Sequence, residues 1–172
     1  MRASPSCTWE ELLAGEPPLG LVLLEDIYRH AAEAYPNECC GFVRSSGEIH
    51  RAVNHQDALH AQDPACWPQS AREAYSLAPD DLYSLGMSFF SDAPAIVVYH
   101  SHPDCGAYFS AKDIADALHG GRPVYDVDHL VIDVRRGRAR GAKLYRFVDL
   151  QYQCVWTDEI DGPRKPTSAQ AP

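Results

Sequence analysis

The side chains best suited to chemistry in this chain lie in and just after the segment Tyr99-His100-Ser101-His102-Pro103. In an extended segment residues i and i+2 point to the same side, so His100 and His102 can bring both imidazoles to one ion at about 2.0–2.1 Å. Pro103 sets the exit from the strand and residues 104–109 let the chain return. Asp113, in the first turn of the next helix, can then add a carboxylate oxygen. Two imidazoles and one carboxylate suit zinc, and three protein ligands leave a fourth position for water, as in catalytic rather than structural sites. Such a water has its pKa lowered to about 7, so a nearby carboxylate can serve as base. Glu38, at the junction between a helix stopped by Pro36 and a strand starting at Gly41, is the candidate.

Each residue also has an ordinary reading. Ser110 with Asp113 forms an S-x-x-D pattern, close to a helix capping box, which by itself explains both residues at a helix start. His100 and His102 could be polar residues at a strand end, and Glu38 an exposed carboxylate. The five occurring together is what favours a site.

That combination resembles the JAMM metalloprotease family, also called JAB or MPN-plus, whose motif is a Glu followed at a distance by H-x-H-P, six residues and S-x-x-D. Glu38 matches the acid, His100, His102 and Asp113 the metal ligands, and Ser110 the serine. Pro36-Asn37-Glu38-Cys39-Cys40-Gly41 is similar to the P-x-E-x-C-G segment of the prokaryotic branch, and the similarity extends over residues 19–148. The resemblance implies a single-domain α/β/α sandwich with a mixed sheet, of the cytidine-deaminase-like type. It also implies one zinc ion per chain with water as the fourth ligand, Glu38 moving the proton and Ser110 stabilising the oxyanion. The implied reaction is cleavage of peptide or isopeptide bonds after the C-terminal Gly-Gly of a ubiquitin-like or sulfur-carrier β-grasp protein. A scaffold of MPN type that binds partners without cleaving them, and a phage-tail or murein endopeptidase, are the alternatives; intact ligands count against the first and the lack of an apolar signal core against the second.

Several elements must position these residues. Residues 19–23 read as a short apolar strand. Leu24, Ile27, Tyr28, Ala31 and Ala34 recur at helical spacing, predicting a helix over 24–35 that Pro36 stops. Residues 41–44 and 48–53 predict a hairpin. Residues 54–78 are polar and irregular, either an ordered wall of the site or a variable loop. His50, His55 and His60 lie in or near it, at a spacing that fits neither a helix face nor a zinc knuckle, so a second metal site is disfavoured. Pro79 opens a helix to about Phe90, and Ala95-Ile96-Val97-Val98-Tyr99 is a central strand covered on both faces. A helix over 110–118 closed by Gly120-Gly121 follows, then a hairpin of 127–134 with 142–148. The predicted organisation is a leader at 1–18, a domain at 19–156 and a disordered tail at 157–172.

Composition agrees with one globular domain: 172 residues, 45% apolar and 23% charged. A net charge of −9 argues against a nucleic-acid binder. The one basic run, 135–140, reads as a solvated hairpin turn or, failing that, a patch for an acidic partner. No apolar run is long enough to span a membrane, which points to the cytoplasm. Cys7, Cys39, Cys40, Cys66, Cys105 and Cys154 are then expected as thiols. The Cys39-Cys40 pair reads as buried apolar residues rather than a redox element, and Cys105 as loop filling rather than an oxidant sensor.

Overall fold

The computed structural model describes residues 19–160. The expected leader, with Cys7, and the expected tail from 161 on lie outside the described residues. A six-stranded sheet runs in the order β2-β1-β3-β6-β7-β8, formed by Ile49–Ala52 (β2), Cys40–Arg44 (β1), Ala95–Pro103 (β3), Asp128–Arg135 (β6), Arg138–Val148 (β7) and Gln151–Glu159 (β8). Only the β3–β6 pair is parallel. Two-residue strands Leu118–His119 (β4) and Arg122–Pro123 (β5) form a small separate hairpin. The helices are α1 (Leu21–Ala34), α2 (Gln56–Gln62), α3 (Pro79–Ser88) and α4 (Ala111–Ala117). Helices on both faces of a mixed sheet are the expected α/β/α arrangement.

Helix α1 covers one face. Leu24, Ile27, Tyr28 and Ala31 are its buried residues, and they pack on Val43, Val97, Tyr99, Leu130, Ile132 and Leu144. The expected strand at 19–23 is instead turn and the first turns of α1. A short apolar run carries no period of its own, and here it continues the helical phase of Leu24 and Ile27. The helix stops at Ala34 because Pro36 forces Tyr35 into an extended conformation (ψ 135°).

The opposite face holds a smaller cluster of Phe42, Leu85, Ala95, Val98 and Val127. Gly41 is required where β1 squeezes between its neighbours: a Cβ there would lie 2.3 Å from the His50 carbonyl oxygen and 2.4 Å from the Tyr99 hydroxyl.

Three other expectations need correction. Gly120 and Gly121 do not cap a helix; both have positive φ (59° and 76°) and form the turn between β4 and β5. The β6–β7 turn is only Arg136-Gly137, so Arg135, Arg138 and Arg140 belong to strands. Arg135 pairs with Asp133 at 3.0 Å, giving the basic run local counter-charge. Finally, β8 continues to Glu159, so residues 157–159 are strand rather than tail. No helix among the described residues is long and apolar enough to cross a membrane.

Candidate metal centre

Strand β3 does not end at Tyr99 but carries His100, Ser101 and His102 as extended residues. Alternation then sends Val98, His100 and His102 to the face opposite α1. The pairing Cys40↔His100 in the β1–β3 ladder, continued by one step, sets Cys39 against Ser101. Ser101 N–H donates to the Cys39 carbonyl at 3.1 Å and Ser101 Oγ accepts from Cys39 N–H at 2.8 Å. The residue between the two histidines thereby anchors the start of β1. One further step of the register brings Glu38 opposite His102.

Residues 54–78 brace Glu38 from the other side. Glu38 N–H donates to the Ala71 carbonyl at 2.7 Å, and Asn54 Nδ2 donates to both the Glu38 carbonyl (3.0 Å) and that of Ala74 (3.1 Å). Within the loop, fully buried Gln56 donates to the Gln69 carbonyl at 2.8 Å and Asp57 accepts from Ala71 N–H at 2.7 Å. Of the two readings left open, the structure supports an ordered wall: Gln69, Arg72 and Glu73 line the same cleft as Glu38.

The return loop delivers Asp113. Ser110 is the N-cap of α4, its Oγ accepting from Asp113 N–H at 3.1 Å while Asp113 Oδ2 accepts from Ser110 N–H at 2.8 Å. The capping box is therefore real. It coexists with a second use of the same carboxylate, because Asp113 Oδ2 lies 3.5 Å from Nε2 of both His100 and His102. The two Nε2 atoms are 3.1 Å apart.

His102 Nδ1–H donates to the Gly106 carbonyl at 3.1 Å, which leaves Nε2 as a lone pair. His100 is held by packing: the Tyr75 ring stacks on it at 4.6 Å and Phe109 sits 6.4 Å away, while its buried Nδ1 has no partner among the described residues. These three donor atoms form a triangle with edges of 3.1–3.5 Å. A tetrahedral ion bonded at about 2.0–2.1 Å requires donors about 3.3 Å apart. The residues fit zinc, and they are the only such group among the described residues.

Electrostatics agree with a cation site. Burial holds His100 below its ordinary value and so neutral. Burial opposes the charge of Asp113 too, but the close His100 and His102 imidazoles and the bond from Ser110 outweigh it and hold the carboxyl well below the usual range. For His102 burial is likewise outweighed, by Asp113 and Glu38, and its value rises. Glu38 is pushed up to about 8, chiefly by burial, with His102 pulling the other way. A carboxyl poised near neutrality beside His100, His102 and Asp113 is suited to proton transfer.

Glu38, His102, Ser110 and Asp113 all line one cleft of about 500 Å³. His50, His55 and His60 do not gather. His50 pairs with Asp81 at 2.7 Å and stacks on Phe42, His60 Nδ1 meets the Trp67 carbonyl at 2.6 Å, and His55 precedes α2. Cys39 and Cys40 are buried free thiols, and burial pushes Cys39 up to about 12 and Cys40 higher still, so neither is a nucleophile. Cys105 is exposed at the cleft. Tyr75, Phe109 and Asn54 are the supports that sequence reasoning missed. The capping pattern marked the helix start, but nothing in the spacing of residues 54–78 marked Tyr75.

A family profile described as prokaryotic homologs of the JAB domain matches residues 21–140, more than half of the chain. Among solved structures, the chain is similar to a protein of Desulfitobacterium hafniense determined in solution. The two are 21% identical with a TM-score of 0.52, over 78% of this chain and 86% of that one. A protein of Salinibacter ruber, also a solution structure, is 23% identical with a TM-score of 0.46, over 88% and 93%. No curated protein matches significantly.

Proposed function

The chain belongs to the prokaryotic homologs of the JAB domain, and from that premise we propose that it is a zinc-dependent metallopeptidase. Its substrates in this reading are peptide or isopeptide bonds after the C-terminal Gly-Gly of ubiquitin-like or sulfur-carrier proteins, cleaved in the cytoplasm. The observation that carries the proposal is the convergence of His100 Nε2, His102 Nε2 and Asp113 Oδ2 at 3.1–3.5 Å, with Glu38 in the same cleft. Intact ligands and an intact base favour catalysis over a purely binding role.

His100, His102 and Asp113 would hold the ion, which when bound supplies Lewis acidity toward a carbonyl and makes water acidic near neutral pH. Glu38 takes a proton from the attacking water onto its carboxylate and passes it to the leaving amine. Its position between the β1 start and the 54–78 wall keeps it shielded, at 5% exposure, so the proton is exchanged with reactants rather than bulk water. A cation on the neighbouring ligands would draw the Glu38 value down and favour the ionised, proton-accepting form. Ser110 Oγ accepts from Asp113 N–H, leaving its own hydrogen free to donate to the oxyanion of the tetrahedral intermediate. Gln69, Arg72 and Glu73 form the wall along which an extended tail would lie.

Elemental analysis of the purified full chain tests the metal half of the proposal. About one zinc per chain is expected, falling to near zero in Asp113→Ala and His102→Ala. A metal-free natural chain that stays metal-free after zinc is added would remove the proposal's basis. Hydrolysis of a β-grasp fusion placed after Gly-Gly tests the substrate half, and no cleavage by zinc-loaded protein would overturn it.

A further inference from the structure

The β1–β3 ladder ends at the Cys40–His100 pair, so Glu38 and His102 lie on chain ends beyond it. Past them the two ends are joined once more, away from the metal-ligating atoms. The Asp104 carboxylate, two residues after His102, accepts at Oδ2 from the Tyr35 hydroxyl (2.9 Å), and Tyr35 precedes Glu38 by three residues. Asp104 Oδ1 accepts from Arg136 N–H at 3.0 Å, and Asp104 N–H donates to the Val134 carbonyl at 2.7 Å. The Tyr35 ring rests against the β6–β7 turn, where a Cβ on Gly137 would stand 3.7 Å from it. One residue thus gathers the end of α1, the β6–β7 turn and the exit of β3.

That exit is a sharp reversal. Asp104 has φ 60° and Gly106 has φ 97°, two left-handed residues within three. A residue other than glycine keeps such a conformation where its surroundings over-determine it, as the three bonds of Asp104 do here. What the reversal delivers is the Gly106 carbonyl, which accepts from Tyr108 N–H and from His102 Nδ1–H, each at 3.1 Å. A hydrogen bond to the far nitrogen of a metal-ligating histidine sets the orientation of its ring. His100 Nδ1 has no such bond among the described residues, so His102 is the imidazole that a hydrogen bond aims.

We infer that Asp104 is a positioning residue of the centre: its clamp on Tyr35 and Arg136 fixes the reversal that aims the His102 ring through Gly106, and ties the exit of β3 to the segment bearing Glu38. The inference rests on the metallopeptidase reading for what the aimed ring holds, and on the geometry of the clamp alone for the aiming. Asp104 is exposed, so its bonds add little to global stability and its effect falls on the site.

The test compares the full natural chain with Asp104→Gly, which keeps the left-handed backbone and loses the carboxylate, and with Asp104→Asn, whose amide can still accept from Arg136 N–H and pair with Tyr35. In the metal-free protein, the His102 Nδ1 proton followed by proton–nitrogen NMR should be sharp and slow to exchange with water in the natural chain, broadened in Asp104→Gly and restored in Asp104→Asn. Zinc affinity from competition with a chelator, at equal folded fraction, should fall about tenfold in Asp104→Gly, the lower end of what losing a supporting residue costs. Asp104→Asn should recover most of it. Denaturant midpoints should move little, and a merely structural role would leave both the ring proton and the affinity unmoved. A ring proton unaltered in Asp104→Gly, or already broad in the natural chain, would overturn the inference whatever the zinc result. Natural zinc affinity in Asp104→Gly would also overturn it. A natural chain that binds no zinc but shows the ring-proton difference would sink the metallopeptidase reading and leave the aiming of His102 by Asp104 standing.

Discussion

Strand β3 presents two faces built on opposite principles. Toward α1, Val97 and Tyr99 join Leu130, Ile132 and Leu144 in a continuous cluster that is almost wholly apolar. On the other face the apolar cluster shrinks to Phe42, Leu85, Ala95, Val98 and Val127, and the remaining positions go to His100, His102 and His129, all buried. The first face stabilises the fold by removing apolar surface from water. The second accepts the cost of buried titratable groups, a pattern typical of functional sites. One strand can do both because successive side chains alternate, so the dry side holds the backbone rigid while the polar side holds donor atoms in place.

Substitutions on the two faces should therefore separate stability from metal binding. The largest effect is expected for Asp113→Ala, which removes a ligand. Zinc affinity measured by competition with a chelator should fall by more than the roughly 10–100-fold typical of losing a supporting residue. Unfolding of the metal-free protein should shift far less. Next is Leu130→Ala on the α1 face, buried at 0% exposure. It should lower the unfolding free energy by about 2–5 kcal/mol in denaturant titration while the folded fraction still binds one zinc. If Leu130→Ala lost zinc at equal folded fraction, the division of labour would fail.

The last expected effect is a slope, small at any one pH step. His129 is held at about 3 in the folded chain against an ordinary value of 6.5. Between these values the unfolded chain binds the extra proton, so this group's contribution to stability is complete above pH 6.5 and is lost as pH falls toward 3. The contribution changes by at most about 1.4 kcal/mol per pH unit. His129→Phe should flatten the stability profile in that window, as measured by denaturant midpoints at a series of pH values. An unchanged slope would mean that His129 is not held neutral.

The α1 face was legible in the sequence because Leu24, Ile27, Tyr28 and Ala31 repeat at a single helical period. The gathering of His100, His102 and Asp113 was legible because H-x-H on a strand and S-x-x-D at a helix start both encode fixed geometry. Glu38 was found by its place in a motif; its closeness to His102 is a matter of register between β1 and β3, a long-range pairing that local pattern does not carry. The order in residues 54–78 was not legible, since beyond the short helix α2 it rests on isolated bonds, among them those of Asn54, Gln56 and Asp57 to distant backbone, which leave no periodicity. Leu19 to Leu23 misled for the opposite reason: five residues of mostly apolar sequence are too few to distinguish a strand from the start of a helix. Strand β8 was overlooked because, on the sheet edge, its exposed and half-buried positions give no clean alternation.

The account rests most heavily on Glu38 acting as base beside a metal it does not hold. Zinc content and hydrolysis of a fusion joined after Gly-Gly should be measured on the same preparations of the natural chain and of Glu38→Gln. The account predicts about one zinc per chain in both, with hydrolysis by Glu38→Gln reduced by roughly 10²–10⁴-fold. Zinc-loaded Glu38→Gln that cleaves at the natural rate would contradict it.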